Sequence, residues 1–347
     1  MQASILAMTK REVIIDAVEF RRPAYVPWQV GLTIDCAERL KRHLGAEDLA
    51  EFLDDHFLGV GAEVGRFEPV DDDHVRDLYG VTWDRSIDKD IGTPCDWPIK
   101  TPADLGRFTF PDPGDEQWYA GAPEAMADNP HLFSCYGLGF SLFERAWTMR
   151  GMENLLIDMV ERPGFVEEFL DAIVAHNLVQ VARAIELGVD AIHFGDDYGM
   201  QTGLMMGGAH WRRFIKPRLA RMFAPLAEAG KYAYLHSCGR VQEVFDDLVE
   251  IGLRIFNPFQ PEVMDVFEYL PRYHGRLAFH GGMSIQKTLP FGSVAEVREM
   301  ASRLVEAGAG GGYVFSPSHA VPRDVPPENL VAMMDVLKSQ PGYRRQQ

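Results

Sequence analysis

The feature that most constrains the fold of this chain is a repeat of short apolar runs, each followed by a longer segment with helical spacing. The runs end in Gly, Asp, His or Ser, and the alternation predicts parallel strands joined by helices. The predicted strands cover residues 132–136, 191–194, 232–235, 254–257, 277–279 and 313–315. The predicted helices cover residues 152–159, 165–187, 210–229, 241–251, 294–307 and 328–338.

Glycines recur where these predicted helices end. Gly188, Gly230, Gly252 and Gly308 each stand just before a predicted strand or the loop leading to it, and glycine is the usual residue at a helix C-cap. A length of 347 residues is ordinary for a (β/α)8 barrel. We therefore predict an α/β fold, a (β/α)8 TIM barrel, forming a single domain over residues 1–347.

The N-terminal part of the chain is less regular. Thr9 and Glu12 have the spacing of a capping box, which predicts a helix beginning near Thr9. Residues 25–30 predict a short buried strand, the first of the barrel. Residues 58–113 are rich in Asp, Gly and Pro and show weak periodicity. We expect them to form irregular hairpins and loops, as extra cover over one end of the barrel.

Composition excludes several classes of partner and location. The chain has 34 basic and 51 acidic residues and a formal charge of -17, which argues against binding to nucleic acid or anionic lipid. Four cysteines are too few to staple a chain of this length, which favours a reducing cytoplasm. Residues 1–8 lack a basic segment and a long apolar segment, so no signal peptide is predicted. No membrane span is predicted, because no apolar run reaches about eighteen residues.

His236 and Cys238 directly follow the predicted strand 232–235. Residues two apart on a strand project from the same face, so an imidazole and a thiolate can converge there on one metal ion. The alternative is a partly buried cysteine beside a hydrogen-bonded histidine, with no metal. The P-loop and dinucleotide fingerprints are both absent from the sequence, so nothing supports a nucleotide cofactor.

In a barrel of this type the chemistry lies at the C-terminal ends of the strands. Asp196 and Asp197 follow the strand predicted at 191–194, and such a pair suits acid–base catalysis or the orientation of a substrate hydroxyl. The alternative is that one of them caps the next helix while the other is solvated. His280 follows the strand at 277–279 and is either catalytic or bonded to the backbone of a tight turn.

Other residues near strand ends are candidates for contact with a substrate. Aromatic side chains here form either a wall around a ligand or part of the core. The candidates for substrate binding are Trp28, Tyr198 and Gln260.

Four segments together resemble the uroporphyrinogen decarboxylase superfamily, which includes decarboxylases and zinc-dependent methyltransferases that work with corrinoid proteins. They are FGDDYG at 194–199, LHSCG at 235–239, HGGMSIQKTL at 280–289, and GYVFSPSH at 312–319 followed by PPEN at 326–329. The resemblance covers most of the chain and implies a (β/α)8 barrel. A porphyrinogen decarboxylase of this family needs clustered arginines to pair the substrate carboxylates. The matching segment here, residues 29–33, contains no arginine, although Arg39, Arg42 and Arg145 are possible substitutes.

The methyltransferase branch instead carries a His-x-Cys pair and a later cysteine that together bind zinc. His236 and Cys238 match the pair, whereas no cysteine follows Cys238. We infer that His319 replaces the later thiolate, since zinc accepts mixed nitrogen and sulfur ligands. Glu144 is a candidate fourth ligand, because residues 141–147 resemble relatives that demethylate methoxylated compounds.

The resemblance therefore favours a zinc-dependent methyltransferase, or O-demethylase, that moves a methyl group from a small methoxylated or methylated compound to a corrinoid. No corrinoid-binding motif is present, so the cofactor is expected on a separate partner protein or free. The alternatives are decarboxylation of a tetrapyrrole, as in porphyrin biosynthesis, and a non-catalytic small-molecule binding protein. The oligomeric state is open, and a homodimer is compatible with the sequence.

Overall fold

The structure is a computed structural model that describes residues 8–61, 64–87 and 89–344. The expectation that no signal peptide is present falls mainly on residues 1–7, which lie outside the described residues. Residues 62, 63 and 88 of the predicted cover also lie outside them.

The described strands, in chain order, are β1 (Phe57–Val60), β2 (Phe67–Pro69), β3 (His74–Asp77), β4 (Thr82–Asp84), β5 (Thr93–Asp96), β6 (Phe133–Leu138), β7 (Ala191–Gly195), β8 (Gly199–Met200), β9 (Gly203–Leu204), β10 (Tyr232–His236), β11 (Leu253–Phe259), β12 (Ala278–Met283) and β13 (Tyr313–Pro317).

The described α-helices are α1 (Lys10–Val18), α2 (Ile34–Leu44), α3 (Ala50–Leu53), α4 (Ala122–Asp128), α5 (Phe143–Arg150), α6 (Met152–Glu161), α7 (Pro163–Leu187), α8 (Gly207–His210), α9 (Lys216–Glu228), α10 (Phe245–Glu250), α11 (Val266–Arg272), α12 (Thr288–Phe291), α13 (Val294–Gly308) and α14 (Pro327–Lys338). A π-turn, Trp211–Ile215, separates α8 from α9. Short 3-10 turns lie at Pro102–Arg107, Glu116–Trp118 and Gln242–Val244.

The main sheet has the strand order β1-β6-β7-β10-β11-β12-β13. The chain divides into two compact units, one with residues 8–58, 128–134 and 254–344 and the other with residues 59–127 and 135–253. In the second unit β6, β7 and β10 pair in parallel, and in the first unit β11, β12 and β13 do so. Helices connect successive strands of the sheet, so the predicted α/β class is confirmed. The prediction of a single domain over residues 1–347 stays a prediction.

The strands predicted from the apolar runs are all present, and each continues beyond its predicted C-terminal end. Strand β12 extends through Met283, beyond the predicted end at residue 279. His280, Gly281 and Gly282 are not typical of strands, so the sequence pattern did not predict this extension. Strands β12 and β13 are buried along their whole length, as strands of a parallel sheet covered on both faces are.

The strand predicted at residues 25–30 is wrong. This segment makes only isolated parallel bridges, between Trp28 and Phe315 and between Leu32 and Val321. Pro27 has no backbone N–H, so a continuous ladder cannot form there. Strand β1, which joins the edge of the main sheet, was instead missed at the start of the region predicted to be irregular.

The predicted glycine caps are confirmed at three of the four helices. Gly188, Gly230 and Gly252 have φ of 85°, 65° and 96°, the left-handed conformation that ends a helix. The cap predicted at Gly308 is wrong, because this residue is the last residue of α13. A Cβ atom at Gly308 would lie 2.2 Å from Cδ1 of the Tyr313 ring, so this glycine is needed for close packing. The capping box of Thr9 and Glu12 is present at the start of α1.

Within residues 58–113, the predicted hairpins are a four-stranded antiparallel sheet in the order β2-β3-β4-β5. The buried carboxylate of Asp77 organises this cover sheet, because it accepts the backbone N–H groups of Tyr79 and Val81 and the indole N–H of Trp83. Arg145 of α5 donates to the same carboxylate at 2.9 Å. The cover sheet is thereby joined to the helix that follows β6.

No helix within residues 8–61, 64–87 and 89–344 is long and apolar enough to cross a membrane.

Candidate metal centre

Strands β7 and β10 end side by side, and hydrogen bonds join the turns that follow them. Gly195 pairs with His236 in the parallel register, and the Asp196 N–H donates to the His236 carbonyl at 2.9 Å. Ser237 is fully buried, and its hydroxyl oxygen accepts the N–H of Tyr198 at 3.0 Å. These bonds fix the turn after β7 against the turn after β10.

Two glycines bring the backbones of these turns into direct contact. A Cβ atom at Gly199 would lie 2.5 Å from the carbonyl oxygen of Cys238, and one at Gly239 would lie 2.4 Å from the carbonyl carbon of Gly199. Gly239 also has a φ of 82°, which side chains rarely tolerate. No other residue type fits at either position without moving the neighbouring turn.

The side chains of His236 and Cys238 meet at the end of β10. The sulfur of Cys238 lies 3.4 Å from Nε2 of His236. Oδ1 of Asp197 accepts the backbone N–H of Cys238 at 2.7 Å and lies 3.8 Å from Nε2 of His236. About a fifth of the His236 side chain, 22%, is exposed, so the pair is reachable by a small ion.

The environment of Cys238 opposes a free thiolate. Burial raises the pKa of its thiol, and the negative charges of Asp197 and Glu144 raise that pKa further. Because a metal ion deprotonates a thiol that binds it, a cation at this point would offset the charge that these groups concentrate there.

His319 follows β13 and is exposed. His319 belongs to the other compact unit of the chain, and its predicted place as a third ligand stays a prediction. Two imidazoles and one thiolate are a donor set that zinc accepts, and catalytic zinc sites use three protein ligands while leaving one position open. The residues therefore fit the metal that the resemblance implies, and zinc binding itself stays a prediction.

Glu144, predicted as a fourth ligand, contacts Asp197 beside the candidate pair, and its role as a ligand stays a prediction. It lies in the first turn of α5, and its carboxylate accepts the backbone N–H of Asp197. Burial raises the pKa of Glu144 well above its usual value, and the charges of Asp197 and Asp196 add to this effect.

The two adjacent aspartates have different surroundings. Asp196 is fully buried and accepts the backbone N–H groups of Phe143 and Glu144 at 3.0 and 2.7 Å, which caps the start of α5. It also accepts the hydroxyl of Tyr198 at 2.6 Å. Burial raises the pKa of Asp196 to about 6, against the lowering effect of these hydrogen bonds. Asp196 thus caps α5, which precedes it in the chain, and not the helix that follows it, and its catalytic role stays a prediction.

Two of the predicted site residues lie in the unit that contains β11–β13. His280 is buried within β12, stacks on Phe57 at a ring separation of 5.1 Å, and accepts the side-chain N–H of Asn257 at its carbonyl. Gln260 is buried and directly follows β11, where its carbonyl accepts the N–H groups of a tight turn. Their predicted roles with a substrate stay predictions.

Both aromatic residues predicted to bind a substrate are core residues in this structure. Trp28 has no exposed surface, donates its indole N–H to the carbonyl of Leu53 at 2.9 Å, and packs on His56. Tyr198 is also fully buried, and its hydroxyl is used by Asp196. Their predicted contact with a substrate stays a prediction.

Sequence reasoning missed one residue that shapes the site and gave another residue a different role. Ser237, between the predicted ligands, clamps the turn of β10 to the turn of β7. Arg145, considered above as a partner for substrate carboxylates, is instead buried and paired with Asp77. Only the position of Ser237 inside the His-x-Cys motif offered a signal, because nothing local to Arg145 indicates a partner 68 positions away.

Comparisons with known proteins agree on the relationship. A family model described as uroporphyrinogen decarboxylase matches residues 86–340. The uroporphyrinogen decarboxylase of Methylococcus capsulatus is 22% identical over 268 residues, covering 72% of each chain. That of Chloroherpeton thalassium is 21% identical over 262 residues, again with 72% of each chain covered. A solved structure, a methyltransferase from Methanosarcina mazei, is similar with a TM-score of 0.67 at 16% identity, over 95% of this chain and 98% of that one. The predicted barrel fold is confirmed.

Proposed function

Because the chain belongs to the uroporphyrinogen decarboxylase family, we propose that it is a zinc-dependent methyltransferase. It moves a methyl group from a small methoxylated or methylated compound to a corrinoid carried by a separate protein. The observation that carries the proposal is the pair of ligand side chains at the end of β10, with sulfur and imidazole nitrogen 3.4 Å apart. A decarboxylase of this family has no need of such a pair.

In this proposal His236, Cys238 and His319 hold the metal, and the close approach of the first two side chains supports that assignment. Bound zinc supplies Lewis acidity at the oxygen that departs from the methyl group. An alkoxide or phenoxide is a poor leaving group, so neutralising its negative charge is the main chemical task of the site.

The residues around the pair supply the remaining chemistry. The carbon–oxygen bond of the donor breaks, the methyl group leaves without the bonding electrons, and the oxygen keeps the pair and takes up a proton. Glu144 is proposed to supply that proton, because burial raises its pKa well above the usual value and so favours the protonated carboxyl. Both oxygens of Asp196 already accept hydrogen bonds. His280, in its neutral form, is proposed to donate a hydrogen bond to the substrate.

The test has two parts, metal content and turnover. Protein purified without chelator is expected to hold about one zinc ion per chain, and Cys238→Ser is expected to lose it. Cys95→Ser is the matched control, because Cys95 is an exposed cysteine in β5. Zinc well below one ion per chain in the wild type, or full zinc in Cys238→Ser, would contradict the metal assignment.

For turnover, the protein is mixed with cob(I)alamin and a panel of methoxylated aromatic compounds, and formation of methylcobalamin is followed spectroscopically. We expect activity with at least one donor and none in His236→Ala. Unchanged activity in His236→Ala would remove zinc from the mechanism.

The second candidate is decarboxylation of a tetrapyrrole, favoured by the names of the two curated relatives. Residues 29–33 contain no arginine, and the guanidinium of Arg145 is already paired with Asp77. Conversion of uroporphyrinogen to coproporphyrinogen under reducing conditions would nevertheless replace the methyltransferase proposal. Tight binding of a small molecule with both assays blank would indicate a non-catalytic binding protein. A cytoplasmic location and a separate corrinoid protein are further parts of the proposal.

A further inference from the structure

The side chain of Asp197 lies against both residues of the candidate ligand pair. Its Oδ1 atom accepts the N–H of Cys238 at 2.7 Å and faces Nε2 of His236 at 3.8 Å. About a third of the Asp197 side chain, 30%, is exposed. One carboxylate thus reaches the backbone of one ligand residue and the ring of the other.

The geometry distinguishes Asp197 from its two carboxylate neighbours. Asp196 accepts N–H groups at the start of α5, and neither of these hydrogen bonds involves His236 or Cys238. Glu144 accepts the backbone N–H of Asp197 itself. Asp197 is therefore held in place by Glu144 and in turn holds the turn that carries Cys238.

We propose that Asp197 is a positioning residue for the metal ligands, an inference that rests on the proposed function. Its hydrogen bond to the Cys238 backbone fixes the direction of the thiol, and its charge lies beside the ligand pair, where it adds to the attraction for a cation. Outer carboxylates that position ligating residues commonly change metal affinity by about 10–100-fold when they are removed.

The experiment compares zinc affinity in the wild type, Asp197→Asn and Ser237→Ala, by competition with a chromophoric chelator. Asparagine keeps an oxygen that can accept the Cys238 N–H and removes only the charge, so we expect affinity to fall about 10–100-fold. Ser237→Ala removes a bond between the same two turns without touching a ligand side chain, so it is expected to lower stability more than affinity. Asp72→Asn, at an exposed aspartate, is the control for net charge.

Substitution of cobalt(II) for zinc provides a readout independent of activity. The sulfur-to-cobalt charge-transfer band and the ligand-field bands of Asp197→Asn are expected to keep their wild-type positions at saturating metal. Shifted ligand-field bands would show that Asp197 is itself a ligand, and unchanged affinity would show that it has no role in metal binding. Either result overturns the inference.

The outcomes separate this inference from the proposed function. If the wild type binds no metal, the proposed function fails and the inference fails with it. If the wild type binds zinc and Asp197→Asn binds it equally well, only the inference fails. Circular dichroism checks the fold of each variant. Should Asp197→Asn not fold, Asp197→Glu retains the charge but shifts it by one methylene, and wild-type affinity in that variant would overturn the inference.

Discussion

Replacing Arg145 by methionine is expected to destabilise the protein strongly without removing a substrate contact. The guanidinium of Arg145 lies 2.9 Å from Oδ2 of Asp77, with side-chain exposures of 3% and 1%. It also lies 3.7 Å from the centre of the Tyr79 ring. Breaking a buried ion pair by removing one partner costs about 3–5 kcal/mol, because the other charge stays buried.

The magnitude for this pair should fall near the lower end of that range. Asp77 keeps three N–H donors after the substitution, two from the backbone and one from Trp83, so its charge stays partly compensated. The lost cation–π contact with Tyr79 adds up to about 2 kcal/mol. We therefore expect the free energy of unfolding to fall by about 3–5 kcal/mol.

Urea unfolding followed by tryptophan fluorescence measures this change, since Trp83 donates to the same carboxylate. The control is Arg183→Met, because the ion pairs of Arg183 with Glu116 and Glu186 are exposed, and a change within about 0.5 kcal/mol is expected there. The double variant Asp77→Asn with Arg145→Met should be less destabilised than the sum of its single changes. A loss below about 1 kcal/mol in Arg145→Met would refute the reasoning from burial and pairing.

Three further predictions test the packing, the pH dependence and the thiol. Gly308→Ala is expected to destabilise the protein by about 1–3 kcal/mol. Gly164→Ala, in a helix with open space around this glycine, should instead stabilise the protein by up to about 1 kcal/mol. Urea midpoints measure both changes, and equal effects of the two substitutions would contradict the packing argument. Burial raises the pKa of Asp55 to about 6 from 3.8, so its contribution to stability is full below pH 3.8 and is lost as the pH rises through about 6. Asp55→Asn should therefore gain stability over the wild type, by at most about 3 kcal/mol, at pH 8 but not at pH 4, and a pH-independent difference would contradict this. In the metal-free protein, iodoacetamide should modify the exposed Cys95 faster than Cys238. Mass spectrometry can follow the modification of each cysteine, and faster reaction at Cys238 would show that its pKa is not raised.

Much of the fold could be predicted because its strands are short apolar runs separated by helical periodicity. The ends of the strands could not, since pairing continues into residues such as Gly281 and His236 that are not typical of strands. The segment at residues 25–30 has the composition of a strand, but Pro27 interrupts its hydrogen bonding. Gly308 stands where a helix cap is expected, but a Cβ atom there would clash with the ring of Tyr313, so this glycine is needed for close packing.

The candidate site was predictable where the period of a strand determines which side chains share a face. His236 and Cys238 are two apart on or beside one strand, and their side chains approach to 3.4 Å. The division of roles between Asp196 and Asp197 was not predictable, because it depends on which side of the chain faces α5 and which faces the end of β10. Those neighbours are 52 and 41 positions away, at Glu144 and Cys238.

The contact between Gly199 and Gly239 limits how this site can evolve or be redesigned. A Cβ atom at either glycine would overlap the backbone of the opposite turn. A side chain at either position must therefore displace that turn and the residues it carries. A library that varies the other residues of these turns can explore many side chains, but it cannot accept a substitution at one glycine unless the opposite turn moves with it. Insertions or altered turn lengths, made in both loops together, are therefore the route by which the geometry at this position could change.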